Sequence, residues 1–210
     1  MKFKHFIWDF DGTLLNTYPA MVKAFYKTCV DNDIPADENT ILEYMRISVQ
    51  TVIDFYSKRF SFPPSFLDEF QKNREILEKQ VVEPYVDTQI ILEEIIDSGN
   101  FNYVVTHRGT STLELLRKYD LEKYFREIVI KEKGFARKPN PQSINYLKEK
   151  YEMNNDETVM IGDRILDIEA GRNAMVHTCF YDEFKTEKEL GADITISRLS
   201  EIALYLKRNY

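Results

Sequence analysis

From Pro84 onward the chain alternates short apolar runs with segments of helical period, and few folds accommodate that pattern. Residues 101–106, 127–130, 158–161, 176–181 and 193–196 read as strands, several of them rich in β-branched or aromatic residues such as Tyr103-Val104-Val105. Between them, residues 90–96, 110–119, 142–151, 165–172 and 200–208 carry helical spacing. One more apolar run, at residues 3–10, reads as a first strand. Strands that alternate with helices close into a parallel, doubly wound sheet with right-handed crossovers. The fold class is therefore α/β.

One block breaks the alternation. Met21, Val22, Phe25, Cys29 and Val30 recur at helical spacing, with Asn16 or Thr17 as the cap, and Ile34-Pro35 ends that helix. Asp37 precedes a second helix, Ser48 caps a third, and a fourth runs from Phe66 to Glu78 after the Pro63-Pro64 break. Residues 16–82 are too long for a loop and hold several aromatics, so they form a small helical domain inserted after the first strand. The core is then residues 1–15 and 83–210.

Composition narrows the function classes. Hydrophobic residues make up 43% and charged residues 30%, a profile that argues against disorder. A formal charge of −7 argues against a large nucleic-acid interface but leaves room for anionic small substrates at a locally positive site. The two cysteines, Cys29 and Cys179, show no zinc spacing or disulfide framework, which fits a reducing, cytoplasmic setting. No secretory signal or bilayer-length apolar stretch is visible, so no membrane partner is expected.

In open α/β sheets, ligands bind beyond the carboxyl ends of the strands, and four such ends carry chemistry. After Phe6-Ile7-Trp8 come Asp9 and Asp11, with Gly12 marking a turn. Two carboxylates two residues apart in extended chain share a side, so a cation or a shared proton is needed to relieve them. Mg²⁺, a hard cation held by oxygen, suits them. The same residues also suit an Asp-capped strand end with a Gly turn. The second strand ends in Thr106-His107-Arg108-Gly109, where Thr106 either donates to a phosphoryl oxygen or simply closes the strand, with Thr110 as a helix cap. Lys138 lies in a loop stiffened by Pro139 and Pro141; a lone lysine is usually a solvated charge. Asp163 and Asp167, four apart at a helix start, serve either as dipole-favoured carboxylates or as ligands.

Taken together, Asp9-Phe10-Asp11-Gly12-Thr13, Thr106, Lys138-Pro139 and Gly162-Asp163…Asp167 resemble, in order, the four motifs of the haloacid dehalogenase-like hydrolases. The pattern is most similar to the phosphoglycolate phosphatase and β-phosphoglucomutase branch. The resemblance covers essentially the whole chain and implies a Rossmann-like core with a helical cap that closes over the site. It implies Asp9 as nucleophile and Asp11 as general acid and base. Mg²⁺ would be held by Asp9, the backbone carbonyl of Asp11 and Asp163, with Asp167 in direct or supporting contact. Thr106, Lys138 and the amides around Gly12 and Thr13 would bind the transferring oxygens, with His107 and Arg108 on the substrate side. Two departures stand out: His107 occupies a place where Asn is frequent, and Arg164 one where Thr or Ser is common. His107 either touches the leaving group, packs, or faces solvent. The presence of Asp11 argues against C–halogen cleavage.

The expected function is a Mg²⁺-dependent phosphatase acting on a small phosphorylated metabolite, as a monomer or homodimer. A phosphomutase and a non-catalytic binding protein are the alternatives. Asn16-Thr17 as a hinge and Arg46-Ile47-Ser48-Val49 as a substrate-contacting loop are further candidates, each equally suited to interhelical connection and capping.

Overall fold

A computed structural model describes residues 1–186 and 189–207. The chain divides into two compact units, Met1–Leu15 with Pro84–Tyr210, and Asn16–Glu83. The boundary read from sequence, 82/83, lies one residue away.

The first unit is built on a six-stranded parallel sheet. Its strands are β1 (His5–Trp8), β2 (Phe101–Val105), β3 (Phe125–Val129), β4 (Thr158–Gly162), β5 (His177–Tyr181) and β6 (Ile194–Ile196). They lie in the order β3-β2-β1-β4-β5-β6. The order reverses beside β1, because the chain first adds strands on one side of it and then on the other. Such a reversal opens a crevice at the carboxyl ends of β1 and β4. Register brings those ends level: Trp8 pairs with Val104 on one side and with Ile161 on the other. The residues that follow, Asp9, Thr106 and Asp163, therefore leave the sheet at one edge.

β1 and β4 are buried along their whole length, as central parallel strands should be. Ile7, Tyr103 and Met160 belong to one apolar cluster with Val129, Ile144 and Leu147. Trp8 and Asn102 bring polar groups into this core, and both are paired. Trp8 Nε1 donates to Asn102 Oδ1 at 2.9 Å, and Asn102 Nδ2 donates to the Leu92 carbonyl at 3.0 Å.

Several local boundaries differ from the sequence reading, and the first strand spans only His5–Trp8 where residues 3–10 were expected. β3 starts two residues earlier, at Phe125. The C-terminal segment is a 3₁₀ helix, Leu199–Tyr205, and not an α-helix over 200–208; Arg208 lies outside the described residues. Backbone pairing explains where it stops: Phe3 N–H donates to the Tyr205 carbonyl at 2.8 Å, and Lys207 N–H donates to the Phe3 carbonyl at 2.9 Å. That pairing draws the chain into an extended bridge at Leu206.

The second unit holds four helices, α1 (Tyr18–Asp31), α2 (Glu38–Ile47), α3 (Val49–Ser57) and α4 (Phe66–Val81). Phe25 anchors their core, meeting Tyr56, Phe66 and Phe70 edge-on with centroids 5.3, 5.5 and 5.3 Å away. Asp37 caps α2 by accepting the Thr40 N–H at 2.8 Å. Ser48 stands in extended backbone between α2 and α3 and accepts the Thr51 N–H at 3.0 Å, which makes it the break between two helices. In the Arg46–Val49 stretch, Ser48 is thus engaged as a cap, and the Arg46 guanidinium lies 6.0 Å from the Tyr18 ring centroid. Thr17 precedes α1 without a side-chain capping bond. No described helix is long and apolar enough to cross a membrane.

Candidate active site

Asp9 is the first residue past β1 and is almost fully buried. A buried carboxylate survives only with partners, and two cations supply them. Lys138 Nζ lies 2.5 Å from Asp9 Oδ1, and Arg164 Nη2 lies 3.2 Å from Asp9 Oδ2. Lys138 arrives from the loop before α5 (Gln142–Lys150) and is itself buried. Its ammonium also lies 2.5 Å from Asp167 Oδ1 and donates to the Val105 carbonyl at 3.1 Å. The surface-charge reading of Lys138 does not hold.

Asp163 follows β4, and Asp167 is in the first turn of α6 (Ile165–Asn173). Asp167 Oδ2 accepts the Arg164 N–H at 3.1 Å, so it caps the helix as well as meeting Lys138. The close approach depends on Gly162, because a Cβ there would sit 2.3 Å from Asp167 Cβ. In the sequence Gly162 served only to end a strand; its true demand is room for the Asp167 side chain.

Asp9, Asp163 and Asp167 each offer a carboxylate oxygen within 4.8 Å of the others. All three donors are hard oxygens, as Mg²⁺ prefers. The spread is only slightly wider than the roughly 4.2 Å between opposite ligands of a 2.1 Å octahedron. Three carboxylates face two cations, Lys138 and Arg164, leaving a formal excess of one negative charge. Burial, then repulsion from Asp167, raises the Asp9 carboxyl above the usual range, with Lys138 and Arg164 opposing. Burial works against the Lys138 charge, yet Asp167 and Asp9 outweigh it and hold the ammonium. A divalent cation would relieve the same imbalance, so the residues present fit one.

The Asp11 carboxylate is placed elsewhere. β1 ends at Trp8, so the two-residue alternation that would align Asp9 with Asp11 does not continue to residue 11. Arg108 Nη1 lies 2.8 Å from Asp11 Oδ1, and its Nη2 donates to Ser111 Oγ at 3.2 Å. The Arg108 guanidinium also lies 5.3 Å from the Phe10 ring centroid. The expected convergence of two carboxylates is replaced by separate ion pairing: Asp9 meets Lys138 and Arg164, whereas Asp11 meets Arg108. Asp11 remains next to the site along the chain, since Asp9 and Asp11 flank Phe10.

The remaining residues fall around these ion pairs. Thr106 Oγ1 accepts the Arg108 N–H at 3.1 Å and, as acceptor there, keeps its own proton to donate. Thr13 Oγ1 donates to Asp163 Oδ1 at 3.4 Å, a long bond that steadies a carboxylate. Gly12 takes a positive φ of 78°, as its turn requires, but its N–H donates to the Leu15 carbonyl at 2.9 Å. The expected role of the Gly12 amide in holding phosphoryl oxygens is therefore corrected: the turn occupies it.

His107 turns toward the Lys138 loop. Its Nε2 accepts the Lys138 N–H at 2.6 Å. A backbone amide can only donate, so Nε2 is the bare nitrogen and the ring proton sits on Nδ1. Burial, then the charge of Lys138, pushes the imidazole down to about 4, which keeps it neutral. Arg137, beside Lys138, is exposed. In the sequence Arg164 stood out only as a departure, at a place where Thr or Ser is common; its three carboxylate partners were not legible there.

Known proteins share this arrangement of chain. The haloacid dehalogenase-like hydrolase family profile matches residues 6–181. The chain is 26% identical over 178 residues to a phosphoglycolate phosphatase of Vibrio parahaemolyticus, covering 80% of this chain and 78% of that one. It is 26% identical over 184 residues to the pyrophosphatase PpaX of Bacillus mycoides, covering 85% and 83%. Among solved structures, a hydrolase from Streptococcus pneumoniae superposes with a TM-score of 0.67 at 32% identity, over 87% of this chain and 94% of that chain.

Proposed function

The chain belongs to the haloacid dehalogenase-like hydrolase family, and on that premise we propose that it is a Mg²⁺-dependent phosphatase working through an aspartyl-phosphate on Asp9. The observation that carries this reading is the buried contact of Lys138 with Asp9 and Asp167, inside a cluster of three carboxylates. A scaffold without chemistry has no use for so many buried charges, since each costs solvation.

The reaction has two steps. In the first, an Asp9 carboxylate oxygen attacks phosphorus, the bond from phosphorus to the leaving oxygen breaks, and Asp11 gives that oxygen a proton. In the second, water attacks phosphorus, Asp11 takes its proton, and the bond to Asp9 breaks, restoring the carboxylate and releasing phosphate. Lys138 offsets charge gathered on the transferring group, and Thr106 donates its hydroxyl to it. His107 fixes the backbone of Lys138. Arg108 orients the Asp11 carboxyl. Asp9, Asp163 and Asp167 would hold the divalent ion, which shields one anion from another when bound.

The substrate is a small phosphorylated metabolite. Phosphoglycolate and pyrophosphate, named for the relatives, both release a group with negative charge of its own. Arg108, beside the proton donor, is suited to such a group.

Phosphate release from p-nitrophenyl phosphate and a panel of phosphorylated metabolites, with Mg²⁺ and with chelator, tests the reading. Mg²⁺-dependent release that favours anionic leaving groups supports it. Absence of turnover on every ester with Mg²⁺ present overturns it.

A further inference from the structure

Arg164 stands where the metal reading needs open space. Its Nη2 lies 3.2 Å from Asp9 Oδ2, while its Nε lies 3.8 Å from Asp163 Oδ1 and 3.8 Å from Asp167 Oδ2. One guanidinium thus reaches all three carboxylates that form the candidate cation site. The pairing with Asp9 spans 155 residues of sequence, so it is not a local helix-capping habit. Two of the carboxylates are buried, whereas the Arg164 side chain keeps 19% of its surface exposed and has somewhere to go. Its backbone is held independently of the side chain, by the N–H bond to Asp167 Oδ2 and as the residue before α6. The side chain can therefore leave while the backbone of Arg164 stays in place.

We propose that Arg164 is the resident counter-ion of the three-carboxylate cluster and that a divalent cation enters by displacing its guanidinium. The inference rests on the reading that the cluster binds such a cation. Two positive groups cannot share a volume of this size without repulsion, so metal binding and Arg164 release are one event. Arg164 then has two consequences. It keeps Asp9 and its neighbours assembled before metal arrives, and it weakens metal binding, because each ion must replace an existing partner. Once displaced, the guanidinium lies at the cluster's edge, at the place an anionic substrate approaches.

The test is a direct titration of Mg²⁺ and Mn²⁺ into chelator-treated protein by calorimetry, with no substrate present. Arg164→Gln is expected to tighten binding by about tenfold or more, because it removes both the competitor and its charge. Arg137→Gln is the control for charge alone: Arg137 is exposed, but its field reaches His107. It is expected to change the affinity by no more than about twofold, as a screened surface charge should. Equal tightening in both variants overturns the proposal in favour of a general field effect, and unchanged affinity in Arg164→Gln overturns it outright. A second readout needs no variant. In isotope-labelled wild-type protein, the Arg164 side-chain NMR signal should shift and sharpen on adding Mg²⁺, as the guanidinium leaves its partners. An Arg164 signal that stays fixed while the metal binds overturns the proposal and leaves the phosphatase reading intact. Failure of both wild type and Arg164→Gln to bind either ion overturns the metal reading and this inference with it.

Discussion

Replacing Lys138 with methionine keeps the length of the side chain and removes its charge. Two buried carboxylates lose their shared ammonium at once: Asp9 and Asp167 each sit 2.5 Å from Nζ. Only Arg164 then faces Asp9, Asp163 and Asp167, and the formal excess grows from one negative charge to two. Ligand oxygens of these residues lie within 4.8 Å of one another. At that distance and an effective dielectric constant of about 20, one uncompensated pair repels by about 3.5 kcal/mol. Breaking a buried pair by removing one partner costs about 3–5 kcal/mol, an independent figure of the same size. Urea unfolding of chelator-treated Lys138→Met at pH 7.5 should therefore show a loss of about 3 kcal/mol against wild type. Two features distinguish this from simple misfit. Saturating Mg²⁺ should recover part of the loss by supplying the missing charge. Lowering the pH should narrow the gap, because the stranded carboxylates can then take protons. A loss under about 1 kcal/mol, or one that neither Mg²⁺ nor acid reduces, would refute the assignment of Lys138 as the charge that holds this cluster together.

Two further predictions follow from the same geometry. Gly162→Ala should leave β4 in place but push Asp167 aside, since its Cβ would lie 2.3 Å from Asp167 Cβ; a fall in activity of about a hundredfold with weakened Mg²⁺ binding is expected, and unimpaired metal affinity would contradict it. His5 and His107 are both held at about 4 against an ordinary 6.5, His5 by burial and then Lys4, His107 by burial and then Lys138. Between pH 6.5 and about 4 the unfolded chain thus binds more protons than the folded one, so stability falls as pH falls through that window. Urea midpoints measured across it should show a shallower slope in His107→Asn than in wild type; identical slopes would exclude His107 from the effect.

The strands were legible because each is a short apolar run bounded by a turn signal, and the sites at their ends followed from chain direction alone. Asp9, Thr106 and Asp163 needed no knowledge of distant partners to be placed at a carboxyl end. Strand order was not legible, since nothing local says that β4 pairs with β1 and not with β3. The charge partners were hidden for the same reason. Arg108 meets Asp11 across 97 residues, and Arg164 meets Asp9 across 155. His107 could not be assigned from sequence because its acceptor role depends on where the Lys138 loop returns. Gly162 and Gly12 show a subtler limit: the turn at Gly12 was visible, but not that the turn would occupy its amide.

The central claim is that Asp9 carries the phosphoryl group between the two steps. The most direct measurement is acid quenching of wild-type protein during turnover, followed by mass spectrometry of the peptide that holds Asp9. A phosphoryl group on Asp9, absent from Asp9→Asn protein that still folds and releases no phosphate, is the expected result. An unmodified Asp9 together with Mg²⁺-dependent phosphate release by the Asn variant would contradict it.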